Sequence, residues 1–139
     1  MSSGQVVISF LLALIWATCD AATAKEWRFY TGSEFGLYEY DAQDVRRSSQ
    51  NPIRVHQKIT LSDRGKTSLI RELGAVYEHV KELILLREID CTCKKGRVLK
   101  LIYYSENDEV INKETYEPTG WNAITPDSVD DILYQAVCE

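Results

Sequence analysis

A strict alternation of apolar and polar side chains in residues 53–61 is the feature that most limits what this chain can fold into. Such an alternation is typical of a strand that buries one face and exposes the other, as in antiparallel sheets. The side chains on one face are Ile53, Val55, Gln57, Ile59 and Leu61, and those on the other are Arg54, His56, Lys58 and Thr60. The sequence therefore predicts a half-buried antiparallel strand at 53–61.

Further strands are predicted before and after this one, because short runs rich in aromatic and β-branched residues lie between turn signals. The predicted strands are 27–31, 37–41, 81–93, 97–105 and 110–116. Only a short Lys-Lys-Gly turn separates the strands 81–93 and 97–105, so we expect them to be antiparallel neighbours.

Two helices are predicted from apolar residues that recur at intervals of three and four. The first spans 66–77 in the mid-chain connection, after a break at 63–65, with Gly74 inside the pattern as a candidate for an earlier end. The residues 41–47 are expected to form a plain connection. The second begins after Ser128, which with Asp131 resembles a capping box. Its apolar stripe should pack on the sheet, the only large apolar surface available. Its stripe consists of Val129, Ile132, Leu133, Ala136 and Val137.

The chain begins with a segment that we do not expect in the folded domain. Residues 6–18 are apolar except for Ser9 and Thr18, and the run is too short for a spanning helix, which needs roughly 20 residues. The triplet Ala22-Thr23-Ala24 fits a signal-peptidase site, so residues 1–24 are predicted to be a signal peptide and 25–139 the mature domain. Because residues 1–5 carry no Lys or Arg, a buried N-terminal helix is the alternative.

A lipid anchor at Cys19 is a second alternative. Lipoprotein signals generally place Leu three residues before the modified cysteine and Gly or Ala directly before it, whereas this chain has Trp16 and Thr18. The sequence thus favours a protein exported to the periplasm, the cell surface or the medium, without a lipid and without a transmembrane segment in the mature chain.

Export changes how the cysteines are interpreted, since oxidising compartments permit disulfides. The mature chain keeps Cys91, Cys93 and Cys138, enough for one disulfide and one spare thiol. Cys91 and Cys93 are two apart in a predicted strand and would point to the same face. Either could reach Cys138 at the end of the helix, with Cys91 favoured. The closed loop of about 45 residues would contribute about 3–4 kcal/mol.

A metal site and a catalytic site are two more specific functions that the same residues suggest, and both are weighed against the motifs present. Cys91, Cys93 and Cys138 with His56 or His79 could supply three sulphurs and one nitrogen to zinc, but C-x-C is not the usual zinc spacing. The sequence contains no GxSxG or HExxH motif. We therefore predict a non-enzymatic protein with no metal and no cofactor.

Charge and aromatic content suggest what kind of partner to expect. The chain has 16 basic and 21 acidic residues, and the predicted leader contains one of the acidic ones, Asp20. A mature domain with net charge near −4 is a poor candidate for binding nucleic acid.

Adjacent tyrosines, including the pairs Tyr38/Tyr40 and Tyr103/Tyr104, are expected to divide between the two faces of their strands. We hypothesise an interaction surface for a protein or matrix-type macromolecule, formed by Tyr38, Tyr40 and a basic patch of Arg46, Arg47, Arg54, His56 and Lys58. Ordinary strand packing and a solvated strand face are the competing interpretations.

Four segments are notable together: WRFYTGSEFGLYEYDAQDVRR (27–47), LREIDC (86–91), RVLKLIYYSENDEVI (97–111) and WNAITPDSVDDILYQAVC (121–138). Their order and spacing resemble the surface-adhesin protein E family of bacteria. The resemblance implies an α+β fold, with a bent antiparallel sheet of about six strands and a C-terminal helix held on its concave face by a disulfide. Cys91 and Cys138 match that disulfide, which leaves Cys93 as the spare thiol.

The resemblance also implies adhesion to extracellular matrix proteins such as vitronectin and laminin. We accordingly expect an exported cell-envelope binding protein. The alternatives are a periplasmic carrier of a small ligand or metal, and an envelope-assembly factor.

Overall fold

The computed structural model describes residues 24–139. The predicted signal peptide, apart from Ala24, and the alternative anchor site Cys19 lie outside the described residues and stay predictions. Among the helices of residues 24–139, none is long and apolar enough to cross a membrane.

One antiparallel sheet organises the described chain, with its first six strands hydrogen-bonded side by side in chain order and a short seventh strand beside the fifth. This confirms the predicted α+β fold with a bent antiparallel sheet. The elements are β1 (Trp27–Ser33), β2 (Gly36–Asp41), α1 (Ala42–Arg47), β3 (Ile53–Leu61), α2 (Asp63–Leu73), a 3-10 turn (Ala75–Tyr77), β4 (Val80–Asp90), β5 (Lys95–Ser105), β6 (Val110–Thr115), β7 (Asn122–Ala123) and α3 (Val129–Cys138).

The alternation that predicted β3 separates two different faces of the sheet. Val55 and Gln57 are almost fully buried, whereas Arg54 is exposed and His56 and Lys58 are half-buried. We call the face with Val55 and Gln57 the helix face and the face with Arg54, His56 and Lys58 the open face. Both hydrophobic clusters of the described residues lie on the helix face.

The first cluster joins α3 to the sheet at one end. Leu133 and Val137 of α3 pack against Val55 of β3 and Ile89 of β4, which lie on the same face of neighbouring strands. Burying each of these side chains contributes about 1.5–3 kcal/mol. The predicted stripe is confirmed at Leu133 and Val137, but Ala136 is exposed and Tyr134, outside the predicted stripe, packs against the cluster.

The second cluster covers the other end of the helix face. Tyr77 from the 3-10 turn packs against Tyr103 of β5, with ring centroids 4.9 Å apart and ring planes tilted by 59°, and Val80 of β4 is fully buried beside them. Leu69 of α2 packs against the same cluster. Helix α2 and the 3-10 turn after it thus cover the part of the helix face that α3 does not cover.

The mid-chain helix begins three residues earlier than predicted. Ser62 caps α2 by accepting a hydrogen bond from the Gly65 N–H at 3.1 Å, so the segment 63–65 starts a helix instead of breaking the chain. A Cβ atom on Gly65 would lie 2.0 Å from the Phe35 carbonyl oxygen. This glycine is needed for close approach of the β1–β2 turn, which a local sequence pattern does not reveal. The predicted helix also ends early, because Gly74 adopts a φ of 106° and a separate 3-10 turn follows.

Two smaller predictions about elements were wrong. The connection 41–47 contains α1, which Asp41 caps by accepting a hydrogen bond from the Gln43 N–H at 3.0 Å. The strand predicted to run through Cys93 ends at Asp90. There the Asp90 carboxylate accepts hydrogen bonds from the N–H groups of Thr92 and Cys93, each at 3.0 Å, and so folds residues 91–94 into a turn.

The disulfide joins Cys91 to Cys138, with Cα atoms 5.6 Å apart, as the family resemblance implied. The reasoning that Cys91 and Cys93 share a strand face was wrong, because both lie in the turn. Cys93 is an exposed free thiol. The alternative zinc site is also wrong, since the disulfide uses two of its three sulphur ligands.

Candidate interaction surface

The open face is the candidate site because the two clusters that hold the helices lie on the opposite side of the sheet. Strand pairing places Phe29 opposite Glu39, Glu39 opposite Lys58, and Leu37 opposite Thr60, so these side chains share the open face. Phe29 is 62% exposed and Leu37 is 54% exposed. Large apolar side chains thus stand among charged ones on this surface.

The predicted basic patch is present on the open face, but acidic groups from other elements neutralise it. Arg54 Nε lies 3.0 Å from a Glu88 oxygen, and Lys58 Nζ lies 3.6 Å from a Glu39 oxygen. His56 Nδ1 lies 2.8 Å from Asp44. Each basic side chain of the patch on β3 therefore has an acidic partner, from β2, β4 or α1.

The arginines of α1 sit beside this network. Arg46 pairs with Glu26, which precedes β1, and Arg47 occupies the last turn of the same helix. Both side chains are exposed. The structure thus brings five of the seven predicted surface residues to the open face or its border.

Glu88 is the centre of the ion-pair network and is buried despite its charge. It accepts hydrogen bonds from Arg54 at 3.0 Å and from Arg97 at 2.8 Å. Burial acts to raise the pKa of Glu88, but the hydrogen bonds from Arg97 and Arg54 outweigh it and hold the pKa below its ordinary value. The carboxylate consequently stays charged and holds both arginines in place. Sequence reasoning missed Glu88, because its register opposite Arg54 becomes visible only in the folded sheet.

The two other predicted surface residues, Tyr38 and Tyr40, point to the helix face. They are two positions apart and therefore share a face, so the expectation that this pair would divide was wrong. Their rings lie 6.2 and 6.0 Å from the ring of Tyr30, and Tyr40 packs against the first cluster. The pair Tyr103/Tyr104 does divide, with Tyr103 buried under the 3-10 turn.

A polar network beneath α3 is a second feature that the sequence did not predict. Arg87 Nη1 donates to Asp130 at 2.7 Å and to Gln57 at 3.2 Å, and Gln57 in turn donates to the Tyr30 hydroxyl. Burial raises the pKa of Tyr30 to about 12. This chain of hydrogen bonds links α3 to β4, β3 and β1 at the helix–sheet interface, so its role is structural, although the buried Arg87 Nε has no hydrogen-bond partner among the described residues.

Asp41, Asp44 and His56 form the group in the described chain whose ligand atoms are close enough for a metal, within 4.8 Å of one another. One oxygen of each carboxylate already accepts two hydrogen bonds. Asp41 Oδ1 accepts backbone hydrogen bonds from Glu26 and Gln43, each at 3.0 Å, and Asp44 Oδ2 accepts the His56 N–H at 2.7 Å. The group ties α1 to the sheet, and the same Asp44 oxygen orients the His56 ring.

Comparison with known proteins agrees with this architecture. A family model described as Surface-adhesin protein E matches residues 27–139, which includes every strand and helix of the described chain. No curated protein and no solved structure matches significantly. The chain belongs to the Surface-adhesin protein E family.

Proposed function

We propose that this protein is exported to the cell envelope, where it binds an extracellular macromolecule through its open face without catalysing a reaction. Membership of an adhesin family supports a surface binding role. The predicted signal peptide and a disulfide, which persists in oxidising compartments, support export.

The observation that carries this proposal is the exposure of Phe29 and Leu37 on the open face, in β1 and β2 at the edge of the sheet, beside the ion pair of Glu39 with Lys58. Exposed large apolar side chains next to charged ones are typical of a protein interface. The pairs of Lys58 with Glu39 and of Arg54 with Glu88 hold their side chains in fixed positions. A partner would therefore meet an ordered surface and lose little side-chain entropy on binding.

The polar clusters of the described chain favour binding over catalysis. The Asp44–His56 pair resembles two parts of a catalytic triad, but Asp44 also accepts the backbone N–H of His56 and anchors α1. Its geometry is explained by this structural role.

The proposal can be tested with the full chain, expressed with its own leader and purified from the envelope fraction. Vitronectin and laminin, the ligands implied by the family resemblance, would be immobilised and the association measured by surface plasmon resonance. We expect saturable binding to at least one of them, and no effect of the protein on substrate panels for hydrolases. Failure to bind either matrix protein, or recovery of the chain only from the cytoplasm, would contradict the proposal.

A further inference from the structure

A groove crosses the open face from β1 to β5, with a cavity volume of about 290 Å³. Trp27 and Tyr104 line it, Ile84 of β4 lies between the lysine and carboxylate side chains that complete it, and the groove opens to solvent. The polar members of its lining are Lys25, Lys58, Glu82 and Asp108. The ion pairs described above use Lys58 but leave the groove as a whole without an assigned role.

The Trp27 end of the groove is basic. Lys58 Nζ lies 4.7 Å and Lys25 Nζ 5.9 Å from the centroid of the Trp27 ring. Each lysine also lies 3.6 Å from a carboxylate, Glu39 or Asp41. The ring and its two ammonium donors are therefore held together by cation–π attraction and ion pairing.

The Tyr104 end of the groove is acidic. Glu82 pairs directly with Tyr104 across β4 and β5, and Asp108 projects from the β5–β6 turn with a φ of 60°. Ser105 fixes that turn, because its hydroxyl accepts hydrogen bonds from the N–H groups of Asn107 and Glu109, each at 3.2 Å. The carboxylate of Asp108 is thus presented from an ordered loop.

From this arrangement we propose that the groove binds a neutral saccharide. A sugar ring has an apolar C–H face, which suits the ring of Tyr104 and the exposed part of the half-buried Trp27 ring beside the two lysines. Its rim of hydroxyls both donates and accepts hydrogen bonds. The two lysines supply donors and the two carboxylates supply acceptors. Amphipathic aromatic rings with a few convergent polar groups are typical of small-ligand sites.

The balance of charge in the groove selects a neutral sugar over an anionic glycan. Two positive and two negative side chains line it, so a polyanion would meet Glu82 and Asp108 as well as the lysines. The proposal rests on the proposed function only in using the same open face, and it names a ligand class that the face could take.

The test is isothermal titration calorimetry on the full chain with maltotriose, cellotriose and triacetylchitotriose, and with a heparin fragment as the anionic comparison. We expect at least one neutral trisaccharide to bind. Trp27→Ala and Tyr104→Ala should each weaken that binding about tenfold. Asp108→Asn, at an exposed turn position where Asn tolerates a positive φ, should weaken it without affecting the fold.

The matched control is Tyr116→Ala, which removes an exposed tyrosine remote from the groove lining and should leave binding unchanged. No binding of any neutral trisaccharide would overturn the proposal, as would binding of heparin alone or binding that the three groove variants do not alter. The two proposals can fail separately. If the saccharide proposal fails but the groove variants still bind the matrix protein, the proposed function is retained.

Discussion

Lys94 in the β4–β5 turn lies with its ammonium nitrogen 2.9 Å from a carboxylate oxygen of Asp131 in the first turn of α3. Three residues before Lys94, Cys91 is bonded to Cys138 at the other end of that helix, and the Cys91 carbonyl accepts a hydrogen bond from Tyr134 at 2.9 Å. One short turn therefore holds α3 near both ends. The disulfide, the ion pair and the first cluster should act together to keep the helix on the sheet.

Cys138→Ser should lower the melting temperature by roughly 15 °C, because the lost bond closes a 47-residue loop and contributes about 4 kcal/mol in the chain-entropy account. Differential scanning calorimetry under non-reducing conditions measures this change. Cys93→Ser is the control, since Cys93 is exposed and outside the disulfide. Equal melting temperatures of the wild type and Cys138→Ser would show that the disulfide does not stabilise the domain.

Acid should weaken the hold on α3 through Asp131. The hydrogen bond from Lys94 holds the pKa of Asp131 below its ordinary value, so the unfolded chain binds this proton more readily than the folded one. The contribution is complete above about pH 4, the ordinary Asp value, and is lost as the pH falls through the lower folded pKa. We expect Asp131→Asn to be less stable than wild type at pH 7, and to lose less further stability on acidification.

Chemical denaturation at a series of pH values between 7 and 2 measures both effects. Asp127→Asn serves as the control, because Asp127 is exposed and contributes its backbone N–H, not its carboxylate, to the contact with Asp131. If Asp131→Asn and wild type lose stability in parallel below pH 4, the proposed linkage is wrong.

Gly65→Ala should destabilise the protein by about 2 kcal/mol or more, although alanine is the better helix former by about 1 kcal/mol. The added Cβ would lie 2.0 Å from the Phe35 carbonyl oxygen, and backbone must move to relieve that contact. Urea unfolding measures the change, with Thr67→Ala on the exposed side of α2 as a near-neutral comparison. A gain of stability in Gly65→Ala would mean that helix propensity alone governs the position.

The parts of the fold that the sequence predicted are those in which local pattern and tertiary packing agree. The alternation at 53–61 and the stripe at 129–137 became β3 and α3, because each pattern matches the period of its own element. Gly65 misled the prediction, since its tertiary contact with Phe35 is invisible in a local window. Cys91 and Cys93 misled it for a similar reason, because the carboxylate of Asp90 ends the strand before them.

The candidate surface was only partly predictable. The basic side chains on the open face of β3 follow directly from the two-residue period of a strand. They are Arg54, His56 and Lys58. Their acidic partners depend on register between strands far apart in the chain, as in the pairing of Arg54 with Glu88. The sequence therefore suggested a basic patch where the folded sheet has a balanced one.

The central claim is that the open face, and not the helix face, contacts the partner. Paired charge substitutions test it directly. Phe29→Asp with Leu37→Asp places carboxylates at two exposed positions on the open face. Leu73→Asp with Val76→Asp does the same at positions 46% and 71% exposed, at the end of α2 and in the 3-10 turn that covers the helix face.

Both double variants should fold, because all four side chains are exposed, and circular dichroism would check this before binding is measured. Affinity for the immobilised matrix protein that the wild type binds is the decisive measurement. The account predicts at least a tenfold loss, about 1.4 kcal/mol, for Phe29→Asp with Leu37→Asp and no significant change for Leu73→Asp with Val76→Asp. The opposite ranking, or unchanged affinity in both, would contradict it.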